Sequence, residues 1–256
     1  MDSQTATNSS AVPGFAFEGL RYGFSTVDQG NLSFRWGEAE EVARNRAAFF
    51  QSFGIDPAHA VTAQLEHGSR VVCVSGADAG RGVLTDDYVL TADSLITNEP
   101  GLYLFHVVAD CAAVLFFDTT HHAVGLAHCG WRGADLNITA ATVAALQQSF
   151  STNPTALTVG IGPSIRPCCY VYPRAELTTK DSLRWVPYLE DVGGGRARID
   201  VIRFLVDELV AAGVPRDSIC VNEICTGHDD RFFSHYHARK RNQPEARFGA
   251  LIGLQV

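Results

Sequence analysis

The strongest indication of the fold is the segment LYLFHVVADCAAVLFFDTTHHAVGLAHCGWRG, residues 102–133. It contains three apolar segments, at 103–108, 113–117 and 123–127, which are rich in β-branched and aromatic residues. Segments of this length and composition predict buried β-strands. His106 and Asp110 interrupt the apolar run, so its length stays below the roughly 18 residues that a membrane helix needs. No transmembrane span is therefore predicted.

The residues on both sides of this stretch predict a fold of mixed α and β class. We expect further strands at 15–25, 70–74 and 157–161, and helices after Glu38, at 134–150 and at 199–212. The last helix carries apolar residues from Val201 to Val210 on one face, and Gly213 follows its end. Three glycines at 193–195 predict a hairpin turn or a surface loop. These elements indicate a central mixed sheet flanked by helices.

Composition favours one intracellular domain. A chain of 256 residues, 46% of them hydrophobic, can bury a sizeable core. A formal charge of −8 without any Lys/Arg run argues against nucleic acid, so we expect a small substrate. Residues 1–14 lack the features of a signal peptide and are expected to be a disordered lead before a catalytic domain at 15–256. The seven cysteines show no disulfide framework, which predicts a reduced, cytoplasmic protein, either a monomer or a small homo-oligomer.

Three potential metal ligands stand where apolar segments meet glycine-rich turns. They are His67 in LEHGSRV, Cys111 in VVADCAAVLFF and His128 in GLAHCGWRG. Zn²⁺ accepts one thiolate and two imidazoles, and three protein ligands leave a fourth position open, as in catalytic sites. An isolated buried Cys or His is more often part of the core. Residue type and spacing alone therefore leave both interpretations open.

Short strings around these residues occur in a characteristic order. They are GFST at 23–26, NLSFRWG at 31–37, HG at 67–68, ADC at 109–111, AHCGWRG at 127–133, GPSIRPCCY at 162–170, CT at 225–226 and FFS at 232–234. In this order they resemble the YfiH-type laccase-domain family, whose members are also described as purine nucleoside phosphorylases. The resemblance covers residues 20–253.

This resemblance implies a single compact α/β sandwich with one Zn²⁺ bound by His67, Cys111 and His128. It implies an enzyme that uses phosphate to split adenosine, inosine, guanosine and methylthioadenosine into the free base and a ribose 1-phosphate. It also implies deamination of adenosine. Purine nucleosides and phosphate would be the partners, with no nucleic-acid polymer and no membrane.

Each reaction calls for particular side chains. Arg132 is assigned to catalysis and Arg35 and Arg247 to substrate binding, because Arg35 and Arg132 lie in family strings, Arg247 lies within the stretch that the resemblance covers, and guanidinium groups suit phosphate geometry. Pairing with an acid would instead make them loop anchors. Deamination needs an activated water and a proton carrier, for which Asp110 or Glu66 could serve. Asp110 could instead orient a ligating histidine or cap a turn, and Glu66 could be solvent-exposed.

The sequence departs from the family strings in three places. The family usually has a basic pair after FFS, whereas His235-Tyr236-His237 follows Ser234 here. Leu65 stands in place of a glutamine before the HG turn, and Val27 stands in place of an arginine after GFST. We therefore expect that substrate preference can differ from that of other members.

Several other polar residues have two interpretations. Trp131 could stack on a purine or fill the core beneath the glycine loop. Cys129 and the pair Cys168-Cys169 are more often small apolar fillers than reactive thiols. The histidines at 121–122 and at 235 and 237 are expected at the surface or in turns, and a place at the mouth of a pocket is the alternative for the second pair.

Three alternative functions stay open. A copper-dependent polyphenol oxidase would need an axial methionine and His-x-His pairs, but the only methionine is Met1 and the only such pair is at 235–237. Copper is therefore the less favoured metal. A non-catalytic module would use zinc to fix a regulatory surface and would close the fourth position. A Cys-His hydrolase would use Cys111 as a thiolate nucleophile beside a histidine.

Overall fold

The structure is a computed structural model that describes residues 11–174 and 182–256. Its helices are α1 (Ala39–Ser52), α2 (Trp131–Asp135), α3 (Ile138–Phe150), α4 (Ser182–Trp185), α5 (Val201–Ala211) and α6 (His235–Arg241). Its strands are β1 (Leu20–Phe24), β2 (Ala60–Val61), β3 (Val71–Cys73), β4 (Ser94–Thr97), β5 (Tyr103–Val108), β6 (Ala112–Asp118), β7 (Ala123–Cys129), β8 (Leu157–Ile161), β9 (Val171–Pro173), β10 (Leu189–Gly193), β11 (Arg196–Ile199), β12 (Ile219–Val221) and β13 (Phe248–Leu254).

The apolar stretch that opens the sequence analysis forms the centre of the molecule. Strands β6 and β7 pair antiparallel inside a mixed sheet whose order is β12-β8-β6-β7-β4-β3. Along β6, Val114 and Phe116 face a core that includes α3 and α5, whereas Leu115 and Phe117 face the opposite core. This alternation is the period of two expected of a strand that is buried on both faces.

A second sheet covers the face of the central sheet that lies away from the helices. Its order is β1-β13-β5-β2, and β13 runs antiparallel to both β1 and β5. Side chains from both sheets, including Leu104, Leu115 and Ile252, share one buried cluster. The predicted α/β sandwich with a mixed sheet flanked by helices is confirmed, and the second sheet is the layer that the sequence analysis did not identify.

Other expectations are confirmed or corrected locally. The glycines at 193–195 form the turn of the β10–β11 hairpin. The helix predicted at 134–150 is two helices, because Asn137 adopts a left-handed conformation with φ of 62° between α2 and α3. Val210 was placed on the buried face of α5 but is 42% exposed. Residues 235–241 form helix α6 instead of a turn.

The predicted N-terminal lead is only partly within the described residues. Residues 1–10 lie outside them, whereas residues 11–14 pack onto the domain. Val12 is 2% exposed, and the Asn222 side chain donates a hydrogen bond to the carbonyl of Ala11 at 2.9 Å. The packed part of the fold therefore begins before residue 15. Among the described helices, none combines the length and the apolar character needed to cross a membrane.

Candidate metal centre and substrate cleft

The three predicted metal ligands converge at one end of the central sheet. Cys111 directly precedes β6, and His128 lies near the end of β7, opposite Ala113 in the β6–β7 ladder. His67 comes from the turn that follows β2. One ligand atom from each residue lies within 4.8 Å of the others, and the two imidazole rings meet edge to face with centroids 4.7 Å apart. We call these three residues the triad.

Asp93, which sequence reasoning did not identify, organises the triad. Its Oδ1 lies 2.9 Å from Nδ1 of His128, so Nε2 of that ring is left for a metal. The same carboxylate accepts hydrogen bonds from three consecutive backbone N–H groups, those of Glu66, His67 and Gly68, at 3.2, 2.9 and 2.7 Å. One buried acid therefore fixes both histidines of the triad.

The electrostatics of the triad favour a Cys111 thiolate beside a protonated His128, whose proton a metal ion would replace. Burial alone would raise the pKa of the Cys111 thiol, but His128 and His67 hold it well below its ordinary value. Burial would likewise lower the pKa of His128, but Cys111 and Asp93 raise it. For Asp93, hydrogen bonds from His128 and the backbone outweigh burial and bring the pKa to about 2. Since thiolate and imidazole are zinc ligands, the donor chemistry fits Zn²⁺.

The backbone around the triad is held in uncommon conformations. His67 and Asp110 have positive φ angles of 61° and 75°. Non-glycine residues adopt this region at a cost, and they do so mostly where neighbouring structure fixes them at functional sites. Gly130 is needed for a different reason, because a Cβ there would lie 2.6 Å from Sγ of Cys111. The turn after β7 therefore leaves room for the thiol.

The triad opens into a cleft of about 1140 Å³. All seven predicted site residues line it: Arg35, His67, Asp110, Cys111, His128, Arg132 and Arg247. Six basic side chains contribute to the walls, namely Arg35, Arg132, Arg196, Arg239, Lys240 and Arg247, against the two acids Asp86 and Asp110. In a chain with a formal charge of −8, this concentration of cations marks a site for an anionic ligand.

The three predicted arginines differ in how freely they can meet a ligand. Arg247 donates to Glu245 at 2.9 Å and stacks on Trp36, with its guanidinium carbon 5.4 Å from the ring centroid. Arg35 lies over the same ring at 5.2 Å. Arg132 is exposed, stacks on Trp131 at 4.6 Å and forms no ion pair within the described residues. Its guanidinium is therefore positioned but not neutralised.

Asp110 is buried in the wall of the cleft. Its Oδ1 accepts a hydrogen bond from the Thr226 hydroxyl and its Oδ2 from the backbone N–H of Tyr236, each at 2.7 Å. It does not orient a histidine of the triad, since Asp93 does so. Glu66 is exposed and is not among the residues that line the cleft.

The remaining polar side chains also have defined places. Trp131 is 7% exposed and belongs to the core on the helix side, as one of its two interpretations predicted. Cys129 is fully buried in the same core. His235, for which a place at the mouth of a pocket was one of the expectations, lines the cleft and pairs with Glu245 at 2.6 Å. Arg239, Lys240 and Arg241 are three consecutive basic residues beside His235, although no Lys/Arg run was recognised in the sequence, and they are the signal that could have identified α6 as a wall.

Comparisons with known proteins identify the family of this chain. Residues 16–255 match the family described as multi-copper polyphenol oxidoreductase laccase. The chain is 31% identical over 224 residues, 83% of its length and 78% of the relative's, to purine nucleoside phosphorylase YlmD of Geobacillus stearothermophilus. It is 29% identical over 246 residues, 94% of each chain, to purine nucleoside phosphorylase ORF3 of Streptomyces griseus.

Solved structures give the same result. The crystal structure of YlmD from Geobacillus stearothermophilus superposes with a TM-score of 0.86 at 29% identity, covering 94% of this chain and 93% of that one. YfiH from Bacillus licheniformis superposes with a TM-score of 0.82 at 27% identity, covering 92% and 93%. Because the family match and both superpositions span nearly the whole chain, this protein belongs to the multi-copper polyphenol oxidoreductase laccase family, as its YfiH-type sequence strings predict.

Proposed function

We propose that this protein is a zinc-dependent purine nucleoside phosphorylase. It would convert adenosine, inosine, guanosine and methylthioadenosine with phosphate into the free base and a ribose 1-phosphate, and it would also deaminate adenosine. The single observation that carries the proposal is one cleft that combines the triad with six basic side chains. Relatives named purine nucleoside phosphorylase support the same reaction class.

The metal of the proposal is Zn²⁺, held by Nε2 of His128, an imidazole nitrogen of His67 and Sγ of Cys111. Three protein donors that include a thiolate match catalytic zinc sites. A Zn²⁺ ion held by these residues would supply Lewis acidity to a substrate in the cleft. Asp93 keeps His128 in the orientation and tautomer that a metal needs.

Arg132 is the residue we assign to phosphate in phosphorolysis. It lines the same cleft as the triad, and stacking on Trp131 limits the rotamers that its side chain can adopt. A guanidinium can donate two parallel hydrogen bonds to a phosphate and offsets the negative charge that the nucleophile carries toward C1′. Arg35 and Arg247 flank Trp36 on the cleft wall and would bind the substrate.

An aromatic wall next to the triad is suited to the purine base. Tyr170 makes edge contacts with Tyr172 at 5.8 Å and with Tyr236 at 6.5 Å, and all three rings line the cleft. Burial raises the pKa of Tyr170, and Cys111 and Asp110 are close enough to add to this rise. Its hydroxyl therefore stays protonated and can donate a hydrogen bond to a base or a sugar oxygen.

For deamination of adenosine, we assign proton transfer to Asp110. It directly precedes Cys111 and is one of the two acids in the cleft walls. Each of its oxygens accepts one hydrogen bond and keeps a lone pair, so it can hold a proton while Thr226 and Tyr236 fix its position. Asp110→Asn should therefore slow ammonia release from adenosine more than it slows phosphorolysis of inosine.

The test of the proposal measures metal content and turnover together. The protein is purified without added metal, its zinc and copper are quantified, and it is incubated with adenosine or inosine with and without phosphate. Base release only in the presence of phosphate supports phosphorolysis, and ammonia release from adenosine without phosphate supports deamination. Bound zinc with no turnover of any nucleoside would instead favour the non-catalytic module, and turnover by metal-free protein would favour a Cys-His hydrolase.

The role of Arg132 can be tested separately. Arg132→Gln should raise the KM for phosphate by about tenfold or more, because a charge-assisted contact contributes about 1.5–3 kcal/mol. Arg198→Gln is the matched control, since Arg198 pairs with Glu190 on the β10–β11 hairpin and does not line the cleft. An unchanged phosphate KM in the Arg132 variant would remove this residue from the phosphate site.

Copper-dependent oxidation is the second candidate, and the description of the matched family carries it. Among the described residues, the groups able to hold a metal are the triad and a second cluster at residues 168, 169, 225 and 228. Neither contains methionine, whereas blue-copper centres generally use one as an axial ligand.

The seven cysteines are free thiols, which fits a reducing compartment, and we place the enzyme in the cytoplasm on that ground.

A further inference from the structure

A second group of metal-binding side chains lies outside the triad. Sγ of Cys168, Cys169 and Cys225 and a ring nitrogen of His228 all lie within 4.8 Å of one another. Nδ1 of His228 is 3.3 Å from Sγ of Cys169 and 3.7 Å from Sγ of Cys168. We call these four residues the thiol cluster. They are not among the residues that line the substrate cleft.

The spacing of these donors matches a tetrahedral zinc site. Zn–S bonds of about 2.3 Å and Zn–N bonds of about 2.0 Å in a tetrahedron place neighbouring donor atoms about 3.5–3.8 Å apart. A disulfide instead requires the two sulfurs to lie about 2.0 Å apart, and the cysteines here are free. Three thiolates with one imidazole form the Cys₃His set of structural zinc sites.

The backbone around the cluster is arranged to hold these donors. Cys168 and Cys169 lie in a turn closed by hydrogen bonds from the N–H groups of Cys169 and Tyr170 to the carbonyl of Arg166, both at 2.9 Å. The backbone N–H of Arg166 points at Sγ of Cys225 at 3.3 Å, and N–H donors to sulfur are typical of the surroundings of metal-bound thiolates.

Gly227 keeps space for the sulfurs. It lies between Cys225 and His228, and a Cβ at this position would lie 2.5 Å from Cβ of Cys169 and 2.9 Å from its Sγ. No real side chain tolerates such distances without a shift. The turn Cys225-Thr226-Gly227-His228 therefore brings a Cys-x-x-His pair against the Cys-Cys pair only because glycine is present.

We propose that the thiol cluster binds a second zinc ion, with all four coordination positions filled by protein. Its role is structural. It ties the turn that leads into Tyr170 to the turn that carries Thr226, and Thr226 donates to Asp110 at 2.7 Å. The zinc therefore anchors two walls of the cleft without contacting substrate.

Zinc stoichiometry of the full chain tests the proposal directly. Cys168→Ser/His228→Asn removes two ligands, and both of these residues are exposed, so the substitutions leave the core intact. We expect two zinc ions per chain in the unmodified protein, one in this variant and one in Cys111→Ser. Cys73→Ser changes an exposed cysteine outside both sites and should keep two.

X-ray absorption at the zinc edge distinguishes the two sites without measuring activity. Zinc in Cys111→Ser should have three sulfur neighbours, and zinc in Cys168→Ser/His228→Asn should have one. The proposal would be overturned if the unmodified chain bound only one zinc ion and the Cys168→Ser/His228→Asn variant still bound that ion with one sulfur neighbour. Copper instead of zinc bound to three sulfurs would also overturn it. A mass of the intact protein that is two hydrogens below that of the reduced protein would do the same, because it would show a disulfide.

Discussion

The triad and the thiol cluster consist of the same two residue types, but we propose a catalytic role for the first and a structural role for the second. The triad has two imidazoles and one thiol, whereas the thiol cluster has three thiols and one imidazole. The triad ends in a cleft lined by cations, while the thiol cluster joins two turns behind that cleft. In zinc sites generally, the number of protein ligands and the space beside them, rather than the presence of Cys and His, separate a catalytic site from a structural one.

The surroundings of the two groups differ in the same way. A carboxylate, Asp93, organises the triad through His128 and three backbone N–H groups. In the thiol cluster, a backbone N–H donates directly to a sulfur. A carboxylate raises the basicity of a neutral ligand, whereas N–H donors stabilise the excess negative charge of thiolates. Each group thus has the support that its own donors need.

The largest expected effect comes from removing a ligand of the triad. Cys111→Ser should remove zinc from the triad and reduce nucleoside turnover by at least about 10³-fold, because Lewis acidity contributes several kcal/mol and each 1.36 kcal/mol is tenfold in rate. Cys73→Ser, measured in the same assay, should stay within about twofold of the unmodified protein. Turnover at the original rate by zinc-free Cys111→Ser would contradict a catalytic role for the triad.

Loss of ligands from the thiol cluster should mainly affect the stability of the protein. Cys168→Ser/His228→Asn should lower the free energy of unfolding by about 3–4 kcal/mol, because a ligand at about 10³ times its Kd stabilises the folded state by about 4 kcal/mol. Urea unfolding at fixed free zinc measures this. Turnover by the folded variant should fall by less than about tenfold. A loss of activity as large as that of Cys111→Ser, with unchanged stability, would reverse the assignment of the two groups.

The acid behind the triad should have an intermediate effect. Asp93→Asn retains the shape of the side chain but loses the charge that orients His128 and accepts from the turn at 66–68. Zinc affinity should fall about 10–100-fold, as for other outer-shell partners of metal ligands. Competition with a chromogenic chelator measures it. Asp86→Asn is the control, because Asp86 lines the cleft but has no hydrogen bond to the triad within the described residues. Equal zinc affinities in the two variants would exclude the proposed role of Asp93.

These contacts mark the limit of what sequence could predict. Strands β5 to β8 were predictable because each is a single apolar run, and α5 because its apolar residues recur at helical spacing. Asp93 was not predictable. It reaches His128 through the antiparallel register of β4 on β7, which pairs Ser94 with Ala127 and depends on contacts far apart in sequence.

The thiol cluster was missed for a similar reason. Cys168 and Cys225 meet through an isolated parallel bridge between Ser164 and Cys225, and no local pattern predicts that bridge. The Cys-x-x-His spacing at 225–228, taken together with the adjacent cysteines at 168 and 169, was nevertheless a signal for a metal site. The family strings had identified the triad but assigned no ligand role to these residues.

The smallest effect belongs to a second acid–histidine pair that has no thiol beside it. Asp118 is buried, and its Oδ2 lies 2.9 Å from Nδ1 of His121, as Asp93 lies from His128. Burial alone would raise the pKa of Asp118, but hydrogen bonds to its carboxylate, including those from the backbone of Thr120 and His121, lower it below the ordinary 3.8. A lowered folded-state pKa stabilises the protein above the unfolded value and loses this contribution as pH falls through the folded value.

Asp118→Asn should therefore lower the free energy of unfolding by about 1–2 kcal/mol at pH 7, near the lower end of the about 1.5–3 kcal/mol for hydrogen bonds to a charged group, because the amide oxygen of Asn can still accept some of these hydrogen bonds. The difference from the unmodified protein should begin to shrink below about pH 3.8, where the carboxyl of the unfolded chain takes up its proton, and should be lost as pH falls through the lower folded-state pKa. Urea unfolding at pH 7, 5 and 3 measures it, and zinc content should stay unchanged. If the destabilisation were the same at every pH, the charge of Asp118 would contribute nothing. If zinc were lost, an acid–histidine pair would matter to metal binding even without a ligating thiol, and the contrast with Asp93 would fail.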